Sequence, residues 1–152
     1  MTETIIPVLL GADLNCYNVA RAFHEQYGVI SYAFGRYAVS ATKYSRIIRF
    51  TSVPEIDRDE VMLETLTAFA EKHPEGKLIL FGCTDDYAAM IIRNKDKLPR
   101  YLCACPNESF LDSVSRKAEF YEICEKYGIP YPKTVVLTGK SEAVALSADA
   151  LG

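Results

Sequence analysis

Residues 5–29 read Ile5-Ile-Pro-Val-Leu-Leu-Gly-Ala-Asp-Leu-Asn-Cys-Tyr-Asn-Val-Ala-Arg-Ala-Phe-His-Glu-Gln-Tyr-Gly-Val29. The first six are apolar without alternation, the pattern of a strand buried on both faces. Pro7 fits such a strand only near its start or at an edge position. Gly11 to Asn15 makes the turn, with Asp13 or Asn15 as helix cap. Cys16, Val19, Ala20 and Phe23 then form one apolar stripe, and Gly28 stops the helix. A second apolar run, 29–34, follows. Strand, helix and strand in this order predict a parallel crossover unit.

The pattern repeats along the chain. Residues 47–50 predict a third strand. Asp57 and Glu60 have capping-box spacing ahead of Met62, Leu63, Leu66, Phe69 and Ala70, a helix that ends before Pro74. Residues 78–81, Leu-Ile-Leu-Phe, are wholly apolar and predict a central fourth strand. Gly82-Cys-Thr-Asp-Asp-Tyr87 opens the next helix, with Thr84 as cap and Asp85 and Asp86 favouring the helix dipole. Ala88, Ile91 and Ile92 form its buried side. Residues 93–100 are a basic surface turn, and 101–104 a short fifth strand. The expected fold class is α/β: a three-layer, mostly parallel, Rossmann-like sheet with helices on both faces.

The last well-marked stretch is Leu111-Asp-Ser-Val-Ser-Arg-Lys-Ala-Glu-Phe-Tyr-Glu-Ile-Cys-Glu-Lys-Tyr-Gly-Ile-Pro-Tyr-Pro-Lys-Thr-Val-Val-Leu137. Phe120, Ile123, Cys124 and Tyr127 lie on one helical stripe, Gly128 suits a left-handed cap, and Pro130 and Pro132 hold the exit extended. A strand is expected over 135–137. Asp112, Ser113 or Ser115 can cap the helix. Arg116 and Lys117 then fall at its first turn, where cations oppose the dipole by roughly 0.3–1 kcal/mol each. A cation beside free helix amides suits phosphate or carboxylate; side chains turned into solvent would serve equally as a structural reading.

Composition narrows the classes. The chain has 152 residues and a net charge of -3, one domain's worth of core and no global attraction to nucleic acid. No apolar run approaches a bilayer span, and the first residues lack the form of a secretory signal. A cytoplasmic location is expected, with no membrane and no nucleic-acid partner. The five cysteines, Cys16, Cys83, Cys103, Cys105 and Cys124, are odd in number and scattered, which reads as reduced thiols. No metal site is expected of them. Between Gln26 and Pro54 there is no acid, while Arg36, Lys43, Arg46 and Arg49 are cationic. Such a segment is either a solvated loop or an electropositive rim; Arg36 is the better ligand candidate because its fork matches a carboxylate.

The turn after the first strand holds one glycine rather than Gly-x-Gly-x-x-Gly, so a dinucleotide fold is disfavoured. Residues 10–21, 34–36, 43–46, 82–87 and above all 116–134 resemble instead the ATP-grasp ligases, most closely the carboxylate–amine branch that includes D-aspartate ligase and carbamoyl-phosphate-synthase-like proteins. In that superfamily an Asp-Lys pair, an aromatic and Gly-Ile-Pro-x-Pro-x-Thr close the domain before the ATP-binding region. Lys117, Phe120, Tyr121 and Gly128 to Thr134 match; Arg116 stands where the aspartate is usual.

The resemblance implies a pre-ATP-grasp domain over 1–133 and the start of a truncated ATP-grasp region over 134–152. Lys117 would contact the nucleotide phosphates. Gly11, Asp13, Asn15, Arg36, Thr84 and Asp85 would face a small-molecule carboxylate substrate. ATP and Mg would serve the full-length enzyme, with none expected in this fragment. The missing ATP-grasp domains of the same chain would be its partners, and a homodimer stays open. Amide formation through an acyl phosphate would need those domains, so the fragment alone is expected to be inactive. The alternative is a freestanding small-molecule-binding regulatory α/β domain. A phosphoacceptor receiver is disfavoured, since Asp13 is single, Asp57 precedes a helix and no lysine closes the fifth strand.

Overall fold

In the computed structural model, which describes residues 4–109, 111 and 116–135, five parallel strands form one sheet in the order β3-β2-β1-β4-β5. The strands are β1 (Thr4–Leu10), β2 (Ser31–Gly35), β3 (Ile48–Ser52), β4 (Gly76–Gly82) and β5 (Tyr101–Cys103). Between them run α1 (Leu14–Tyr27), the single turn α2 (Ser40–Lys43), α3 (Asp59–Glu71), α4 (Asp85–Asn94) and a 3-10 turn (Lys95–Lys97). The chain divides into two units, 1–108 and 109–152. All five strands lie in the first.

The central strands are buried on both faces, as their unbroken apolar runs require. Along β1, side chains alternate between the two layers. Val8 and Leu10 join Phe34, Ile56, Met62, Leu66, Phe69, Leu78, Leu80 and Ile91 in one core cluster, under α3 and α4. Leu9 joins Cys16, Ala20, Ala33, Ile48 and Cys83 in the other, under α1. This is the expected three-layer Rossmann-like arrangement.

Pro7 lies in a central strand, not at an edge. It falls opposite Ile79 of β4, one residue before the β1–β2 pairing begins at Val8↔Tyr32. Its missing N–H therefore coincides with the one stretch of β1 that has a single neighbour.

Several boundaries follow their sequence signals. Gly28 ends α1 in the left-handed conformation, and its N–H donates to the His24 carbonyl at 2.8 Å. Asp13 and Thr84 cap α1 and α4. The expected capping box of α3 does not form: its first flanking residue is Arg58, with no side-chain cap bond, and Asp57 turns elsewhere.

In the second unit, α5 (Lys117–Tyr127) begins directly after Arg116, which makes no side-chain cap bond. The expected caps Asp112, Ser113 and Ser115 lie outside the described residues. Gly128 takes the left-handed cap conformation, and Tyr121 stacks on Tyr131 at 5.0 Å. Of the anticipated apolar stripe only Cys124 is fully buried; Phe120 and Tyr127 are exposed. Val135 is not in a strand, and 136–137 lie outside the described residues.

Of the glycines among the described residues, Gly82 leaves the least room for a Cβ. A Cβ there would stand 2.3 Å from the Ala88 amide nitrogen and 2.6 Å from its Cα, both backbone atoms that cannot step aside alone. Gly82→Ala is expected to cost about 3 kcal/mol, at the upper end of ordinary overpacking. Gly28→Ala, open in space but at φ 66°, should cost only about 1 kcal/mol. Urea unfolding of the two variants would check the order; equal losses would mean that α4 is not seated on Gly82.

Candidate functional site: a crevice at the switch point of the sheet

Chain direction through the sheet reverses between β1 and β4. The connection from β1 runs outward to β2, while that from β4 runs the other way to β5. Their carboxyl ends therefore part, and open α/β sheets hold ligands in the gap. Here the gap is a crevice of about 180 Å³ lined by Gly11, Ala12, Asp13, Gly35, Arg36, Tyr37, Val39, Thr84 and Tyr87. Three turns meet in it, those leaving β1, β2 and β4.

The first turn is bound tightly to its neighbours. The Gly11 N–H donates to the Phe34 carbonyl at 2.9 Å, and the Cys83 N–H donates to the Leu10 carbonyl at 2.8 Å. The Thr42 hydroxyl donates to the Ala12 carbonyl at 2.9 Å, tying α2 to the same turn. Asp13 Oδ1 accepts from the Cys16 N–H at 3.1 Å, and Thr84 Oγ1 accepts from the Tyr87 N–H at 3.3 Å. Both caps thus spend part of their acceptor capacity on their own helices while lining the crevice.

Beneath this floor, Cys16 and Cys83 are both buried. The neighbouring Cys16 thiol and exclusion from water together hold the Cys83 thiol protonated far above the usual thiol range. These two thiols are structural fillers under the turns.

Arg36 stands at the exit of β2. Its Nη1 donates to Asp57 Oδ2 at 3.1 Å, and its carbonyl accepts from the Ser52 hydroxyl at 2.7 Å. It also lines a wider groove of about 450 Å³ with Asp57, Thr84, Asp86, Tyr87, Met90 and Arg93. Arg36, Thr84 and Tyr87 form the wall common to both spaces. Burial pushes the Tyr87 phenol up, and the Asp57 carboxylate adds to the rise; the Arg36 guanidinium and amide pull against it. A larger cavity of about 580 Å³ opens at the opposite end of the sheet, beside Ala70, Pro74 and Leu98 to Tyr101. It lacks both the helix-capping turns and the strand carboxyl ends, so position and polar convergence favour the crevice over size.

Of the sequence candidates, Gly11, Asp13, Arg36 and Thr84 line the crevice. Asn15 and Asp85 do not. Asn15 is exposed on α1 with its amide toward Asp13 Oδ2 at 3.4 Å, and Asp85 is exposed at the start of α4. Lys117 is the exposed first residue of α5, in the second unit. Beside it Arg116 pairs with Glu119 at 2.8 Å, which removes part of the charge conflict at that helix start. Sequence reasoning missed Tyr37, Val39, Tyr87 and Asp57. Tyr87 was visible as part of the turn after β4, but nothing local separates an aromatic that lines a crevice from one that packs.

Among the described residues, no group of three or more His, Cys, Asp or Glu is placed to hold a metal ion, and no helix is long and apolar enough to cross a membrane.

Fold and site together define a Rossmann-like α/β domain with a crevice at its switch point. The chain resembles the pre-ATP-grasp domain of a carboxylate–amine ligase: it is 37% identical over 139 residues to the D-aspartate ligase of Enterococcus faecium (strain Aus0004). That match takes in 89% of this chain and 33% of the relative. No family model matches. Among solved structures, the chain is similar to the biotin carboxylase domain of a single-chain bacterial carboxylase, with TM-score 0.48 and 18% identity over 91% of this chain and 33% of that one. The chain thus spans about a third of the length of the proteins it matches.

A phenol whose folded-state pKa is raised keeps its proton longer in the folded chain than in the unfolded one. Such a group adds nothing below the unfolded value of about 10, and stability falls as pH rises past it. Tyr87 and Tyr101 are both raised, Tyr101 chiefly by burial. Urea unfolding should therefore show stability declining above about pH 10. Tyr87→Phe should make that decline shallower; an unchanged slope would place the phenol in solvent.

Proposed function

We propose that this chain is the substrate-side domain of an ATP-dependent carboxylate–amine ligase, with the crevice between β1 and β4 holding the acid to be activated. The observation that carries the reading is Arg36. It is a guanidinium fixed at the meeting of three turns, in a chain 37% identical to D-aspartate ligase.

A carboxylate oxygen takes the terminal phosphoryl group of ATP, giving ADP and an acyl phosphate. An amine nitrogen then attacks the acyl carbon, phosphate leaves with the C–O bonding pair, and the nitrogen gives up a proton to yield the amide. The chain's own residues would bind and orient. Arg36 offers planar donors to a carboxylate. Asp13 offers an anion to an ammonium group, which suits an amino acid. Thr84 and the Gly11 turn close the sides. The relative's name makes an amino dicarboxylic acid the substrate class to try first.

ATP would supply the activating phosphoryl group. Lys117, with the amides of the first turn of α5, would meet phosphate oxygens. The binding of Mg is assigned to residues of the complete ligase outside the described set, as is the phosphoryl-transfer machinery. On this reading the domain works in the cytoplasm with the remaining ligase domains as partners, and catalyses nothing alone.

The test is steady-state kinetics on the complete ligase, with D-aspartate as the acid. Arg36→Ala should raise KM for the acid about 10- to 100-fold, the loss of one charge-assisted hydrogen-bonding group, and leave KM for ATP alone. Lys117→Ala should do the reverse. The reading is overturned if Arg36→Ala leaves acid binding intact, or if the isolated 152-residue chain forms the amide unaided.

A further inference from the structure

We propose that Asp57 is a positioning residue: it holds the Arg36 guanidinium at the rim of the crevice, so that the free edge of the guanidinium meets the substrate carboxylate. The inference rests on the reading of Arg36 as the acid-binding group.

Asp57 stands where the helix would profit from a cap. It lies two residues before α3, in a chain segment whose spacing with Glu60 is that of a capping box, yet α3 starts with no side-chain cap bond. A cap of this kind contributes about 1 kcal/mol. The carboxylate is directed instead to Arg36 Nη1, 21 residues away, at 3.1 Å. Both side chains are about half exposed, so the ion pair itself adds little to stability. A residue that forgoes a cap for a weakly stabilising pair is placed by something other than stability.

The loop before α3 is built to present it. Ile56 is fully buried in the core under α3 and α4, which leaves the next side chain facing out. Glu55 adopts φ 60°, uncommon for a residue with a side chain, and its carbonyl accepts from the Arg58 N–H at 2.9 Å. At the end of β3, the Ser52 hydroxyl donates to the Arg36 carbonyl at 2.7 Å, and the Val53 N–H donates to the Gly35 carbonyl at 2.9 Å. The segment 52–57 therefore grips Arg36 by main chain and side chain together. Asp57 lines the wider groove and not the crevice, whereas Arg36 lines both. One terminal nitrogen is engaged, and the opposite edge of the planar fork is left for a bidentate acid.

Tyr87 reports on the pair without any ligand. Asp57, Arg36 and Tyr37 are the charged and titratable groups acting on its phenol. If Asp57 loses its charge, the part of the rise it causes disappears, while burial still holds the phenol up and the guanidinium still lowers it.

The experiment has two arms on the 152-residue chain. In the first, the Tyr87 phenol is titrated by NMR. Asp57→Asn should lower its pKa, and Asp57→Glu should largely restore it; no change on Asp57→Asn would overturn the inference. In the second, D-aspartate and succinate are titrated by calorimetry against the unaltered chain, Arg36→Ala, Asp57→Asn and the double variant. Asp57→Asn should weaken binding about fivefold, and the double variant should lose no more than Arg36→Ala alone. Independent, additive losses would remove Asp57 from this role while sparing Arg36. No saturable binding by the unaltered chain at about 10 mM, tenfold above the usual KM range, or no loss in Arg36→Ala, would instead sink the reading of the crevice as an acid site.

Discussion

β1 and β4 pair in parallel over seven positions, from Thr4↔Gly76 to Leu10↔Gly82, although 65 or more residues separate them in the chain. That long pairing brings Gly11 and Cys83 side by side, with the Cys83 N–H bonded to the Leu10 carbonyl at 2.8 Å. Two helix-capping turns, each of which could be satisfied alone, become the two walls of one crevice. The close seating of α4 on Gly82 keeps the second wall in place, because a backbone-to-backbone contact leaves no room for adjustment.

Around this axis the site is built from groups with double duty. Asp13 and Thr84 each satisfy a helix amide and also line the crevice. Arg36 lies just beyond β2, the next strand outward, and reaches the same space because β2 pairs with β1 up to Phe34. The crevice is small, about 180 Å³, which suits a compact acid better than a nucleotide.

Several departures from local rules fall beside the crevice or at the start of α5. Asp57 does not cap α3 and pairs with Arg36. Asn15 and Asp85, grouped with the crevice residues because of their turns, stand outside it because helical geometry sends the first-turn side chains around the axis. Arg116 and Lys117, read as two unfavourable cations, are only partly so, since Arg116 is paired with Glu119.

The five strands, the stripes of α1, α3 and α4, the two caps and the glycine stops were legible in the residues, since unbroken apolar runs, 3.6-residue periodicity and capping chemistry are local properties. Strand order was legible only as a class. Of the crevice residues, Gly11, Asp13, Arg36 and Thr84 were legible from their turns, while Tyr37, Val39 and Tyr87 carry no local mark of it; nor does Asp57, whose contact with Arg36 spans 21 residues. Such contacts depend on register and on the packing of α3 and α4 over the sheet. These arise only when distant segments are pressed together to bury apolar surface, so only the tertiary structure could decide them.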